Sequence, residues 1–268
     1  MQQVLHFYDF GEGVTAFSTT RQGGYSKGSY GEFNINRYCG DSREAISQNR
    51  VLLCQQLQLD DHHLLMPHQV HETEVVAVDG ASDESQLEGV DALMTNVPGV
   101  CIGVSTADCI PVLLYDKVHR AVCAIHAGWR GTVKRIAVKA VAAMASTYGT
   151  CAADLVAQIG PGIHVESFEV GDEVFEAFAD AGFQMQQISR RYPDKWHIDL
   201  PECNRQQLIT SGIPATRIAV SPLCTYQHPD TFFSARRLGI NSGRIFTGIV
   251  MDWVFGASAR ATISSAAV

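Results

Sequence analysis

Two segments apolar enough to be buried strands carry reactive side chains at their ends. In "STADCIPVLLYD" (105–116) the thiol of Cys109 follows an aspartate, and in "AVCAIHAGWRG" (121–131) the imidazole of His126 precedes a glycine-rich turn. A third donor, His71, lies in "MPHQVHE" (66–72). Such dispersed residues do not have the close-pair spacing of a zinc finger. Catalytic zinc takes three scattered protein ligands and leaves its fourth position to water or substrate, and a His/Cys/His set on neighbouring strand ends fits that pattern. The same residues also suit a second chemistry, a Cys109/His126 dyad in which the imidazole deprotonates the thiol and a backbone amide stabilises an oxyanion. Residue types alone leave both open, since three residues drawn from ten histidines and eight cysteines can mimic a site in any chain.

Basic residues near turns extend the list. In "GWRGT" (128–132) glycines ahead of a helix expose amides to an anion while Arg130 adds a fork of donors, so phosphate or carboxylate could dock there. An ordinary tight turn with Arg130 in a surface ion pair explains the pattern as well. Arg21 in "TRQGG" and Arg236 with Arg237 in "FFSARR" have the same two readings. His62 and His63 fall in a polar, solvated loop. His68 in an extended segment points away from the face His71 uses, which gives it a supporting role. The glycines and proline of "IGPGIH" (159–164) read as backbone geometry.

The surrounding elements must hold these residues in place. Strands are expected at "GVTAFSTT", "TEVVAVD", "VDALMT", "VCIGVST", "PVLLYD", "AVCAIH", "DLVAQIG", "RIAVS" and "GRIFTGIVMDWV", with "DKVHR" as a hairpin turn. "RQGGYSKGSYGEFNIN" reads as a functional loop. Helices are expected over "DSREAISQNRVLLCQQLQL", capped by Asp41 with Glu44 and burying Ile46, Leu53 and Leu57. Others follow over "TVKRIAVKAVAAMASTYG" with Gly149 as terminator, over "GDEVFEAFADAG", and from Pro201 onward. No repeat or linker divides the chain. The expectation is one mixed α/β (α+β) domain over residues 1–253, with a central mixed sheet flanked by helices, and a small, polar, disordered tail over 254–268.

Composition narrows the function. With 268 residues, 46% hydrophobic and 18% charged, the chain can bury a substantial core. Its 20 basic against 28 acidic residues give a net charge of -8, which repels nucleic acid and anionic lipid and favours small-molecule partners. No apolar run is long enough for a membrane span, and "MQQVLHFYDF" lacks a signal-peptide pattern. Eight scattered cysteines without a CxxC pair imply reduced thiols and a cytoplasmic location, with Cys101 and Cys123 in the core.

Taken in order, "TRQGGYSKGSYGEFNIN", "HQVH", "VDALMT", "TADCIPVLLYD", "HAGWRGT", "IGPGIHVESFEVGDEV", "CTYQHPDTFFSARR" and "GR" (243–244) resemble the YfiH family of multicopper polyphenol oxidase, or laccase-domain, proteins. The resemblance implies zinc held by His71, Cys109 and His126, with copper as the competing metal. It also implies phosphorolysis of adenosine, inosine, guanosine and S-methyl-5'-thioadenosine, and deamination of adenosine. Deamination needs an activated water, and phosphorolysis needs a phosphate cradle, for which Arg130, Arg21 and Arg236 are candidates. The H-x-E and P-C-x-x-C deaminase signature is absent, so Asp108 and Asp91 are the candidate acids. Ala235 departs from the family pattern, which commonly has an aromatic or histidine there.

The same resemblance brings other activities: an amidase that edits serine-containing UDP-muramic acid precursors, and copper-dependent phenol oxidation. The latter needs a multicopper cluster rich in H-x-H pairs, and this chain has none. A Cys/His hydrolase and a scaffold holding structural zinc complete the alternatives.

Overall fold

The computed structural model describes residues 5–252, so the tail expected over 254–268 lies outside the described residues. Fourteen strands occur among them in chain order: β1 (Leu5–Tyr8), β2 (Val14–Thr19), β3 (Leu64–Leu65), β4 (Val75–Ala77), β5 (Ala92–Thr95), β6 (Cys101–Thr106), β7 (Ile110–Asp116), β8 (Ala121–Ala127), β9 (Leu155–Ile159), β10 (Glu169–Val170), β11 (Ser189–Tyr192), β12 (Lys195–Ile198), β13 (Ile218–Val220) and β14 (Ile245–Met251). The helices are α1 (Arg43–Leu57), α2 (Trp129–Val133), α3 (Ile136–Tyr148), α4 (Asp172–Asp180), α5 (Met185–Ile188), α6 (Leu200–Thr210) and α7 (Ala235–Leu238).

Strand alternation explains the layering. Along β7, Ile110, Val112 and Leu114 face one core while Leu113 and Tyr115 face another. Along β8, Ala121, Cys123, Ile125 and Ala127 join the first core, and Val122 and Ala124 the second. Both faces are apolar because both are covered. The six-stranded sheet, in order β13-β9-β7-β8-β5-β4, packs one face against α3, α4 and α6 and the other against a five-stranded sheet, β1-β2-β14-β6-β3. Beyond that second sheet, α1 closes a third core with Leu53, Cys54 and Leu57 around Phe17, Phe33 and Phe246. Each large sheet is mixed: β4 with β5, β9 with β13 and β3 with β6 run parallel, and the other pairs antiparallel. The central sheet structure expected from sequence is thus a stack of two sheets between helical layers, with a small third sheet, β10-β12-β11, beside it.

Two helix expectations need correction. The cap of α1 is Ser42, whose Oγ accepts from the Ala45 N–H, while Asp41 accepts from Ser26 Oγ and Asn34 Nδ2 and ties the glycine-rich loop to the helix start. The helix expected over 132–149 is two pieces, because Arg135 sits at φ +65° between α2 and α3. Arg135 turns back over the Phe183 ring, 3.8 Å from its centroid, so tertiary packing outweighs a continuous helical pattern. Gly149 does end α3 in the left-handed region, and Ile136, Ala140 and Met144 are fully buried.

Candidate metal centre and its cavity

The β7–β8 hairpin brings the first two donors together. Pro111 pairs with His126, so Cys109, just before β7, lies beside the end of β8. The turn before β7 is built by contacts from distant segments. Asp108 has φ +90°, its carboxylate accepts from Thr225 Oγ1 and from the Arg236 N–H, both at 2.7 Å, and its carbonyl accepts from the Ile163 N–H at 2.8 Å. A Cβ on Gly162 would come within 2.4 Å of Ile110 Cδ1 and 3.2 Å of the Cys109 carbonyl, so a larger residue there would have to displace the Ile110 side chain and press on the turn.

The third donor arrives on the 66–74 loop. Gln69 fastens that loop to β6, donating to the Ser105 carbonyl and accepting from the Ser105 N–H. Asp91 fastens it a second time. Fully buried, its carboxylate accepts from the N–H groups of Val70, His71 and Glu72 at 3.2, 3.0 and 2.8 Å and from His126 Nδ1 at 2.7 Å. Pairing of Ala92 with Ile125 sets Asp91 opposite His126, whose N–H donates to the Asp91 carbonyl. One carboxylate therefore shapes the His71 loop, with His71 at φ +63°, and leaves His126 Nε2 facing the other donors.

One ligand atom each from His71, Cys109 and His126 lie within 4.8 Å of one another, the one such group of three or more among the described residues. Burial rises from exposed His71 through Cys109 to His126, so the group opens on one side. Gly128 makes room for it: a Cβ there would meet His71 Cδ2 at 2.9 Å and Cys109 Sγ at 3.0 Å. Burial pushes the Cys109 thiol up, but His126 and His71 beside it bring it down to about 6. Burial likewise lowers His126, and the Cys109 and Asp91 negative charges reverse this, raising it to about 9. Burial would raise Asp91, yet the His126 bond and the loop amides hold it below the usual carboxylate range. Two imidazoles and a readily formed thiolate, one imidazole backed by a carboxylate, fit a borderline-soft divalent ion.

The open side is a cavity of about 750 Å³. Its walls include Tyr38, Trp129 and Phe168, the guanidinium-bearing Arg236 and Arg244, and Thr106, whose buried hydroxyl has no partner among the described residues. Of the basic residues singled out from sequence, Arg236 lines it, with Nη1 on the Glu169 carbonyl. Arg130 is exposed and stacks on Trp129 at 4.4 Å, outside the lining. Arg21 joins Gly31 and Pro229 through their carbonyls and packs on Phe233, also outside it. Arg244 and Tyr38 are lining residues that sequence reasoning missed. "GR" at 243–244 was the one available signal, and Tyr38 had none. His68 lies in the wall, bonded to Glu88 at 2.7 Å and stacked on Tyr38 at 4.0 Å, and Ala235 stands in the wall as well. All eight cysteines are unpaired thiols.

Fold and site define a class: a single-domain mixed α+β protein with a His/Cys/His group that could hold a metal ion beside an open cavity. The chain belongs to the multi-copper polyphenol oxidoreductase laccase family, whose model matches residues 15–252. It is 49% identical over 247 residues to a purine nucleoside phosphorylase of Bacteroides thetaiotaomicron, covering 89% of this chain and 92% of that one. It is 45% identical over 256 residues to the adenosine deaminase RL5 of an unknown prokaryotic organism, covering 92% and 97% of the two chains. The crystal structure of YlmD from Geobacillus stearothermophilus superimposes with a TM-score of 0.85 at 31% identity, covering 90% of this chain and 93% of that one. No helix among the described residues is long and apolar enough to cross a membrane.

Proposed function

We propose that this chain is a zinc-dependent purine nucleoside phosphorylase that also deaminates adenosine, acting on small molecules in the cytoplasm. The observation that carries the reading is the meeting of His71, Cys109 and His126 on the floor of a cavity that also presents Arg236 and Arg244. His71, Cys109 and His126 would hold the ion, which supplies Lewis acidity at the cavity floor when bound. Asp91 keeps the His126 proton on Nδ1 and so holds Nε2 free as a donor.

Arg236 and Arg244 line the cavity and would supply positive charge to a phosphate, which supports giving the anion role to Arg236 ahead of Arg130 and Arg21, both outside the lining. Tyr38, Trp129 and Phe168 offer flat or apolar surface to a purine. Both carboxylates considered as acids are already committed: Asp108 to Thr225 and the Arg236 amide, Asp91 to His126 and three loop amides. We assign them to orientation, with proton transfer left to water in the open cavity.

Zinc-loaded protein should release hypoxanthine and ribose 1-phosphate from inosine only when phosphate is present, and should form inosine from adenosine. Oxidation of a phenol with neither product formed would overturn the assignment. A second reading has its own support in the facing Cys109 and His126, whose opposite pKa displacements favour a thiolate–imidazolium pair suited to a Cys/His amidohydrolase. A chelator separates the two. Activity lost on chelation and restored by zinc supports the metal enzyme, and activity that survives chelation but not thiol alkylation supports the dyad.

A further inference from the structure

Behind Tyr38 lies a second cavity of about 580 Å³, lined by Arg37, Tyr38, Arg43, Ile46, Ser47, Arg50, Val51 and Asp61. Tyr38 also lines the metal-centre cavity, so one aromatic ring forms a wall of both. In a chain of net charge -8, three guanidiniums around one pocket run against the overall field.

Only part of that charge is used internally. Arg50, buried, gives Nε to Asp61 at 3.0 Å, Nη1 to Glu84 at 3.1 Å and Nη2 to the Leu64 carbonyl at 2.9 Å. That leaves two of its five N–H donors over. Arg37 pairs with the other oxygen of the same buried Glu84. Arg43 forms no ion pair or hydrogen bond among the described residues, and the Ser47 hydroxyl is likewise unengaged one turn along α1. Asp61 and Glu84 thus bind Arg37 and Arg50, while Arg43 feels only the adjacent, exposed Glu44 and gives its guanidinium to no hydrogen bond among the described residues. That combination of a fixed fork, a guanidinium not held by hydrogen bonds and a hydroxyl is what a tetrahedral oxyanion needs.

We infer that the Arg37/Arg43/Ser47/Arg50 pocket is a second anion site that binds a phosphoryl group, separate from the metal-centre cavity and bounded by Tyr38. The group is either free phosphate or the phosphate of a nucleotide whose remainder reaches past Tyr38. The site does not depend on the nucleoside reading, because its occupancy is measured without turnover.

Calorimetric titration of the full-length, metal-loaded protein with inorganic phosphate tests it. The wild type takes up one more phosphate per chain than Arg43→Glu, and Arg37→Gln weakens the same site about tenfold. Thermal unfolding of both variants stays with the wild type, and turnover of inosine at saturating phosphate is unchanged. Arg43→Gln, which keeps the helix surface neutral, weakens the site in the same direction and serves if Arg43→Glu folds poorly. Equal phosphate stoichiometry and affinity in the wild type and all three variants overturns the site. Inosine and inosine 5'-monophosphate then distinguish the sources. A gain in affinity from the 5'-phosphate that disappears in Arg43→Glu identifies a phosphorylated nucleoside, and a lost phosphate site without such a gain identifies free phosphate.

Discussion

Each end of the β7–β8 hairpin holds an aspartate–histidine pair, Asp116 with His119 in the turn at one end and, at the other, His126 with Asp91 from the residue before β5, and the two pairs are put to different uses. At the closed end Asp116 accepts from the Val118 and His119 N–H groups and from His119 Nδ1 at 2.8 Å, tying the turn. At the open end Asp91 accepts from three loop amides and from His126 Nδ1 at 2.7 Å. Both aspartates are fully buried, but the His119 side chain is 36% exposed and the His126 side chain 3%. The other imidazole nitrogen decides the outcome. That of His119 has no thiol or second ligating imidazole grouped with it, whereas Nε2 of His126 faces Cys109 and His71. An aspartate gathering amides and an imidazole is a device for fixing a loop, and it becomes part of a metal centre only where other donors converge on the free nitrogen.

The largest test of this contrast removes a donor. Cys109→Ala or His126→Ala should abolish both metal content, read by elemental analysis of the purified protein, and turnover. His119→Ala should leave both unchanged. A Cys109 variant with full activity would remove the metal centre and the nucleophilic dyad together.

Next come the carboxylates. Asp91→Asn should weaken metal binding about 10- to 100-fold while the protein stays folded, and Asp116→Asn should leave metal affinity at the wild-type value but lower stability by about 1–3 kcal/mol in denaturant unfolding. Equal effects of the two changes on metal affinity would erase the distinction. Gly128→Ala probes the space between the donors directly. The methyl group displaces His71 or Cys109 Sγ, so metal affinity falls while secondary structure, read by circular dichroism, is kept.

The smallest effect is in acid. Burial alone would raise the Asp116 pKa, but the donors gathered on it hold it below the ordinary value of 3.8. Its stabilisation is therefore complete above about pH 3.8 and lost as pH falls through the lower folded value. The stability gap between wild type and Asp116→Asn should be constant near neutrality and close below about pH 3.8, which unfolding curves at several pH values will show. A gap that widens in acid would mean the folded carboxylate is raised.

Much of the architecture was legible because local patterns coincide with tertiary need. The period-two runs of β7 and β8 bury both faces, the "DKVHR" turn joins them, and the family motifs mark His71, Cys109 and His126. Where legibility failed, a distant segment had intervened. Ser42 caps α1 because Asp41 is drawn off to Ser26 and Asn34, and the long helix breaks where Arg135 reaches Phe183. Arg130 is marked by its motif and stacks on Trp129 outside the cavity lining, while Arg244 lines the cavity from a loop that only the short "GR" marks.

The sequence by itself determined nine of the fourteen strands, the hairpin, the candidate set His71, Cys109 and His126 and the family, since these follow from residue type, short-range periodicity and an ordered set of motifs, while the short β1, β3, β10, β11 and β12 did not stand out. Only the tertiary structure decided that Asp91 orients His126 rather than reaching into the cavity, and which arginines line that cavity. It also decided that Tyr38 stands between two pockets. Those outcomes depend on contacts between segments far apart in the chain, where backbone register and packing set the distances and no local pattern records them.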